Sequence, residues 1–170
     1  MIGEYFRPTS LEEAVTLLTE QAKDRKPLGG GTSLSRQQAG KFGVVDLQMT
    51  GLDRIEKRGQ RIMAGAMVSL SELLEHPEVQ PEIKRAIKID ASENIRNRAT
   101  LGGWLVSGDG RSILSTVLLA LDTTLSWEPE GKRVRMGNWL PMREEESPGV
   151  LITEAEWWMR PHLVFEYVAR

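Results

Sequence analysis

The chain has 170 residues, 40% of them hydrophobic, with 22 basic and 24 acidic side chains, a formal net charge of −2 and no cysteine. That length buries a core without staples, and the missing cysteine removes disulfides, thiolate metal sites, iron–sulfur ligation and thiol nucleophiles, so any redox chemistry needs a borrowed cofactor. Charges of both signs spread along the chain give no footprint for nucleic acid or an anionic membrane, and the apolar run around Val117–Leu121 is far too short to span a bilayer.

In chain order, "RPTSLEEAVTLL" places Ser10 at an N-cap with Glu13 completing a capping box, and Leu11, Ala14, Val15 and Leu18 at helical spacing, which predicts a helix over about 11–22. "KPLGGG" reads as a short strand running into glycines, "TSLSRQQAG" as a short helix stopped by Gly40, and "FGVVDLQM" as a buried strand. Residues 1–51 thus make a β-α-β-(α)-β lobe that favours parallel pairing. From Leu52 the texture changes, and residues 52–170 read as an antiparallel sheet with helices laid on it. "DRIEKRGQRIMAGAM" is a hairpin about Lys57-Arg58-Gly59. Ser69 and Glu72 cap a helix that ends at His76-Pro77, and "PEIKRAIKIDA" makes another. An apolar helix follows "SGDGRS". Four strand-like segments come last: "TTLSWEP", "KRVRM", "GVLITEAEWWM" and "LVFEYVA", with turns at Pro129-Glu130-Gly131 and Glu146-Ser147-Pro148-Gly149.

Two glycine segments carry the chemistry. Gly29, Gly30 and Gly31, followed by Thr32, Ser33 and Leu34, let backbone N–H groups approach an anion with no Cβ in the way, and the helix predicted after them adds partial positive charge. The segment is neither G-x-G-x-x-G nor a P-loop, and a turn needed only for backbone geometry is the alternative. The second runs from Arg96 through Thr100, Leu101, Gly102, Gly103 and Trp104 toward Asp109. It offers N–H groups, a hydroxyl and two arginines, and two such loops can clamp one diphosphate. Its alternative is that Gly102 and Gly103 let a helix pack closely on a sheet, with Arg96 and Arg98 in solvent. His76 and His162 have no partners that suggest a metal or a catalytic dyad. Trp157 and Trp158 straddle the two faces of a strand, one ring for the core and one for a partner surface, a second copy of the chain included.

Both loops, in this order, resemble the FAD-binding (medium) subunit of the molybdenum hydroxylases, the xanthine dehydrogenase and carbon monoxide dehydrogenase family. "YFRPTSLEEAVTLL", "PLGGGTSL", "VVDLQMTGLDRI", "IMAGAMVSLSELLEHPEV", "ASENIRNRATLGGWLV" and "VLITEAEW" fall in the family's order. The resemblance implies an α+β, two-lobed FAD-binding fold with FAD between the lobes. It implies that amides of Gly29–Leu34 hold the diphosphate from one side and Thr100–Gly103 from the other, with Leu47 near the adenine and Ala66 near the flavin end. It further implies an electron relay, with 2Fe–2S clusters and molybdopterin on partner subunits. Separately, the missing cysteine and an opening "MIGEYFRPTS" without the basic region and apolar run of a signal peptide make the cytoplasm the expected setting. Three positions differ from the family's pattern. Trp104 stands where an asparagine or aspartate is usual, Ile113 where a polar residue faces the ribityl chain, and "LVFEYVAR" resembles only the first strand of the family's C-terminal lobe. These differences define an alternative: a flavin-free homologue acting as a binding or assembly module, with the Trp104 indole filling the cofactor's space.

Overall fold

A computed structural model describes residues 2–21, 24–34, 40–143 and 149–168. The helix expected after the first glycine segment and the turn at 146–148 lie outside them. The first lobe holds strands β1 (Ile2–Phe6), β2 (Arg25–Leu28) and β3 (Phe42–Asp46), with helix α1 (Leu11–Glu20) crossing between β1 and β2. The strands form a parallel sheet in the order β1-β3-β2. Ser10 caps α1 as the sequence predicts, its Oγ accepting from the N–H of Glu13 at 3.2 Å. The Glu13 carboxylate, however, takes the N–H of Thr9 and not that of the cap. Ala14 and Leu18 of α1 pack on Val45 and Leu47, so the apolar stripe read from the sequence is the one buried.

Central β3 is buried along its whole length and delivers Asp46 and Leu47 to the carboxyl edge of this sheet. Asp46 is held there by the hydroxyl of Tyr5, which donates to it, and by the N–H of Gln48 at 3.0 Å. The hydrogen bond to Asp46, with burial adding to it, raises the Tyr5 pKa above its ordinary value. The N–H of Leu47 donates to the carbonyl of Leu28 at 3.1 Å, which sets Leu47 beside the first glycine segment.

The second lobe is an antiparallel sheet of β4 (Ile55–Arg58), β5 (Arg61–Gly65), β6 (Thr124–Glu128), β7 (Lys132–Arg135) and β8 (Leu151–Trp158), ordered β4-β5-β8-β6-β7. Helices α2 (Leu70–Glu75), α3 (Pro81–Asp90), α4 (Glu93–Arg96), α5 (Leu101–Ser107), α6 (Ile113–Ala120) and α7 (Met136–Trp139) accompany it. The capping box of Ser69 and Glu72 is complete, and His76 terminates α2 by donating its N–H to the carbonyl of Glu72. One large core joins Ile62, Leu70, Leu105, Leu118, Trp139 and Trp157. The fold is therefore α+β. Leu151 of β8 completes the small core of the first lobe, so the two sheets meet there. No helix among the described residues is long and apolar enough to cross a membrane.

Three readings need correction. "LVFEYVA" forms no strand: residues 163–168 join neither sheet, although β4 and β7 leave the outer edges of the antiparallel sheet open. Its alternation survives only as packing, with Leu163 and Phe165 against the core and Val164 81% exposed. "KRVRM" stops being a strand at Arg135, and Met136 opens α7. The second glycine segment is not a loop between helices; it is the first turn of α5, capped by Thr100. Trp157 is core, as expected, while Trp158 on the opposite face lies under the Arg61 guanidinium, 4.2 Å from its ring centroid.

Candidate functional site

The first glycine segment leaves β2 at the carboxyl edge of the parallel sheet, the side on which open α/β sheets receive ligands. Glycine is required at position 30 by backbone meeting backbone, since a Cβ there would lie 1.5 Å from the carbonyl oxygen of Arg98; one on Gly29 would lie 2.6 Å from the side-chain Oγ1 of Thr100. The two glycine segments therefore touch. Gly31 has φ of +72°, the left-handed region, and turns the chain away from the sheet. Among the described residues, no protein acceptor takes the N–H of Gly29, Gly30, Gly31, Thr32, Ser33 or Leu34. A run of unspent amides beside a cavity is an anion receptor.

The second segment is built differently. The N–H of Leu101 donates to the carbonyl of Val68 at 2.8 Å, and that of Gly102 to the carbonyl of Ala66 at 2.9 Å. The N–H of Gly103 is held, at a long 3.3 Å, by the capping Oγ1 of Thr100. A Cβ on Gly102 would lie 2.8 Å from the Cβ of Ala66. The expectation of open amides along Thr100–Gly103 thus fails at Leu101 and Gly102, whose donors are spent on the strap that follows β5. Gly102 is small so that α5 can lie on that strap. Neither Arg96 nor Arg98 enters a cavity wall; Arg96 donates to the carbonyl of Ala91 at 3.0 Å and Arg98 is exposed.

Two adjoining cavities share Ser33 and Ser107 in their walls. The larger, about 570 Å3, lies between the lobes. It brings together Gly29, Ser33, Leu34, Leu47, Ala66, Thr100, Gly102 and Gly103 from the sequence reading. Leu47 and Ala66 share this one chamber. The smaller, about 430 Å3, collects Thr32, Ser33, Trp104 and Asp109. Gly30, Gly31 and Leu101 line neither. Both volumes are of the size that ligand clefts have. Trp104 is turned to the smaller chamber and leaves the larger one open. Its Nε1–H donates to Oγ of Ser112 at 3.0 Å, and that hydroxyl donates to Asp90 at 2.9 Å. Asp90 also accepts the N–H groups of Ile113 and Leu114, which fixes the start of α6. Ile113 itself is absent from both cavity walls.

Asp109 accepts from the backbone N–H and the guanidinium of Arg111, at 2.9 Å and 2.7 Å, and this pairing holds its pKa below the ordinary carboxylate value. The carboxylate is ionised at neutral pH, with its charge met by Arg111. Sequence reasoning missed Arg25, Lys26, Val106 and Leu151 in the larger chamber, and Asp90, Ser107 and Ser112 in the smaller. Lys26 preceding the glycines was the one available signal, a cation beside an anion loop.

Residues 1–155 match the family described as the FAD binding domain in molybdopterin dehydrogenase. The chain belongs to that family. It is 30% identical over 159 residues to the carbon monoxide dehydrogenase medium chain of Hydrogenophaga pseudoflava, covering 85% of this chain and 55% of that one. It is 36% identical over 126 residues to the nicotine 6-hydroxylase medium subunit of Paenarthrobacter nicotinovorans, covering 69% and 44%. The chain thus spans about half the length of these relatives. A crystal structure of the Cu,Mo carbon monoxide dehydrogenase, cyanide-inactivated, superposes with a TM-score of 0.83 at 27% identity, over 95% of this chain and 60% of that one. Quinoline 2-oxidoreductase from Pseudomonas putida 86 shares the fold, with a TM-score of 0.85 at 23% identity over 93% and 59%. FAD is the cofactor of this FAD-binding family, and the amides of Gly29, Thr32, Ser33 and Leu34 on the walls of the two chambers fit a diphosphate.

Proposed function

We propose that this chain holds FAD across the two chambers and relays electrons in a molybdenum hydroxylase-type complex, with iron–sulfur and molybdopterin centres on partner polypeptides. The N–H groups of Gly29–Leu34, which have no protein acceptor among the described residues, carry this reading, since a run of such donors beside two cavities that share Ser33 suits an anion that spans them. The diphosphate lies against these amides, and the larger, mainly apolar chamber of Leu18, Leu47, Met67 and Leu151 takes the adenosine arm. The smaller chamber offers Ser92, Ser107 and Asp109, hydroxyl and carboxylate partners suited to the hydroxyls of a ribityl chain. When bound, FAD supplies reversible flavin reduction, and the protein supplies anchoring and orientation. No side chain is assigned as acid, base or nucleophile. The division into lobes at residues 51 and 52, and a cytoplasmic setting, accompany this reading.

Titration of the purified chain with FAD, followed by visible absorption and retention on desalting, tests it. Stoichiometric uptake with a perturbed flavin spectrum is expected; a chain that takes up no FAD overturns it. One observation favours a second reading, a flavin-free assembly module: the amides of Leu101 and Gly102 are already spent, so the clamp has one open jaw. The same titration decides between them.

A further inference from the structure

The smaller chamber contains one large ring, and its orientation is set by a hydrogen-bond chain that nothing in diphosphate binding requires. Trp104 donates its Nε1–H to Ser112, Ser112 donates to Asp90, and Asp90 in turn accepts two N–H groups from the start of α6. Ser112 is 8% exposed and also accepts the N–H of Ser115 at 3.1 Å, so its hydroxyl is fully engaged. The indole therefore has no donor left for a ligand. What Trp104 presents to the chamber is aromatic carbon, partly backed by the core. The other apolar contribution to that wall comes from Ile95 and Ala91; the remaining lining residues are polar or glycine. An aromatic wall with its polar edge tied back, set among hydroxyl groups, suits a flat heteroaromatic ring carried on a polyhydroxyl arm.

We infer that Trp104 is a specificity-determining residue that stacks against the isoalloxazine arm of the dinucleotide and contributes nothing to the ADP arm. The inference rests on the FAD reading given above. Its consequence is a selectivity: substitution at Trp104 lowers affinity for the whole dinucleotide while sparing ADP, whose diphosphate and adenosine use the first glycine segment and the larger chamber.

Calorimetric titration of the full chain with FAD and, separately, with ADP tests this, using wild type, Trp104→Phe, Trp104→Leu and Trp104→Ala. Loss of the ring in Trp104→Ala is expected to weaken FAD about tenfold, the scale of one aromatic contact with its buried area, and to leave ADP within about twofold. Trp104→Leu keeps apolar bulk without a π face and behaves like Ala toward FAD, whereas Trp104→Phe stays near wild type. Fluorescence of the bound flavin, quenched against the indole, rises in Trp104→Leu and Trp104→Ala. Equal losses for FAD and ADP would show a merely structural role and overturn the inference, as would unchanged FAD affinity and fluorescence in Trp104→Leu. In those outcomes wild type still binds FAD and the reading of the domain stands. A wild-type chain that binds no FAD removes both.

Discussion

At Gly30 a Cβ would collide with the carbonyl of Arg98, and at Gly102 one would press on the Cβ of Ala66, so both glycines answer a close approach. The segments around them nonetheless differ in what remains available. Among the described residues, the first leaves the N–H groups of Gly29–Leu34 without a protein acceptor, with Gly29, Thr32, Ser33 and Leu34 on the walls of two cavities, whereas the second spends those of Leu101 and Gly102 on Val68 and Ala66. Two stretches that look like equivalent phosphate loops in sequence thus divide the work. One is a donor surface, and the other is the anvil on which that surface is held.

The division makes Gly30→Ala the most damaging single change. The obstacle is backbone, 1.5 Å away, and cannot rotate aside, so the first segment must lift from Arg98. A loss of about 3 kcal/mol in urea unfolding is expected, together with loss of FAD binding by whatever fraction stays folded. A variant with wild-type stability would break the comparison, because the two segments would then not be in register.

Gly102→Ala comes next. The clash is with a methyl group at 2.8 Å, and a gain in helix propensity offsets part of it, leaving a net loss of about 1 to 2 kcal/mol. FAD affinity of the folded protein should stay within about threefold of wild type. Adding Ala66→Gly removes the opposing methyl, and a double-mutant cycle should return a coupling of about 1 kcal/mol. A coupling near zero would mean that Gly102 is not there for Ala66.

The local features of both segments were legible in the sequence, and the distant ones were not. Ser10 and Ser69 announced their helices because a cap and its partner lie three residues apart. The parallel first lobe followed from strand, helix and strand in succession. Gly102 was ambiguous because its partner, Ala66, belongs to another element, and nothing in "TLGGWLV" shows which amides a remote strap consumes. "LVFEYVA" misled for the converse reason: it has the alternation of a strand, but alternation also serves a segment that packs Leu163 and Phe165 on the core without pairing to a sheet. Trp104 stood out in the sequence, but the hydroxyl that orients it, Ser112, lies beyond the next turn.

Thr100→Val isolates the anvil's own fastening. Valine keeps the shape of threonine and removes the oxygen that accepts from Gly103, so the helix start loses its cap at a cost of about 1 kcal/mol. Thermal melting with and without FAD separates the two roles. If the second segment is architecture, the shift in melting temperature that FAD confers is unchanged while the apo protein melts earlier.

Gly103→Ala has the smallest expected effect on stability and the sharpest bearing on how completely the second segment has given up ligand contact. Its Cβ meets only Oγ1 of Thr100, at 3.0 Å, and the penalty of that tight contact opposes the helix-propensity gain of replacing glycine. The two should cancel to within about 0.5 kcal/mol. Gly103 also lines the larger chamber, and its N–H is the least firmly held of the segment, 3.3 Å from the cap. A methyl group placed there crowds any ligand that uses that N–H. FAD affinity about tenfold weaker at unchanged stability would show that Gly103 still serves as a donor, narrowing the contrast to Leu101 and Gly102. Affinity equal to wild type would assign every diphosphate donor to Gly29–Leu34 and make the contrast complete.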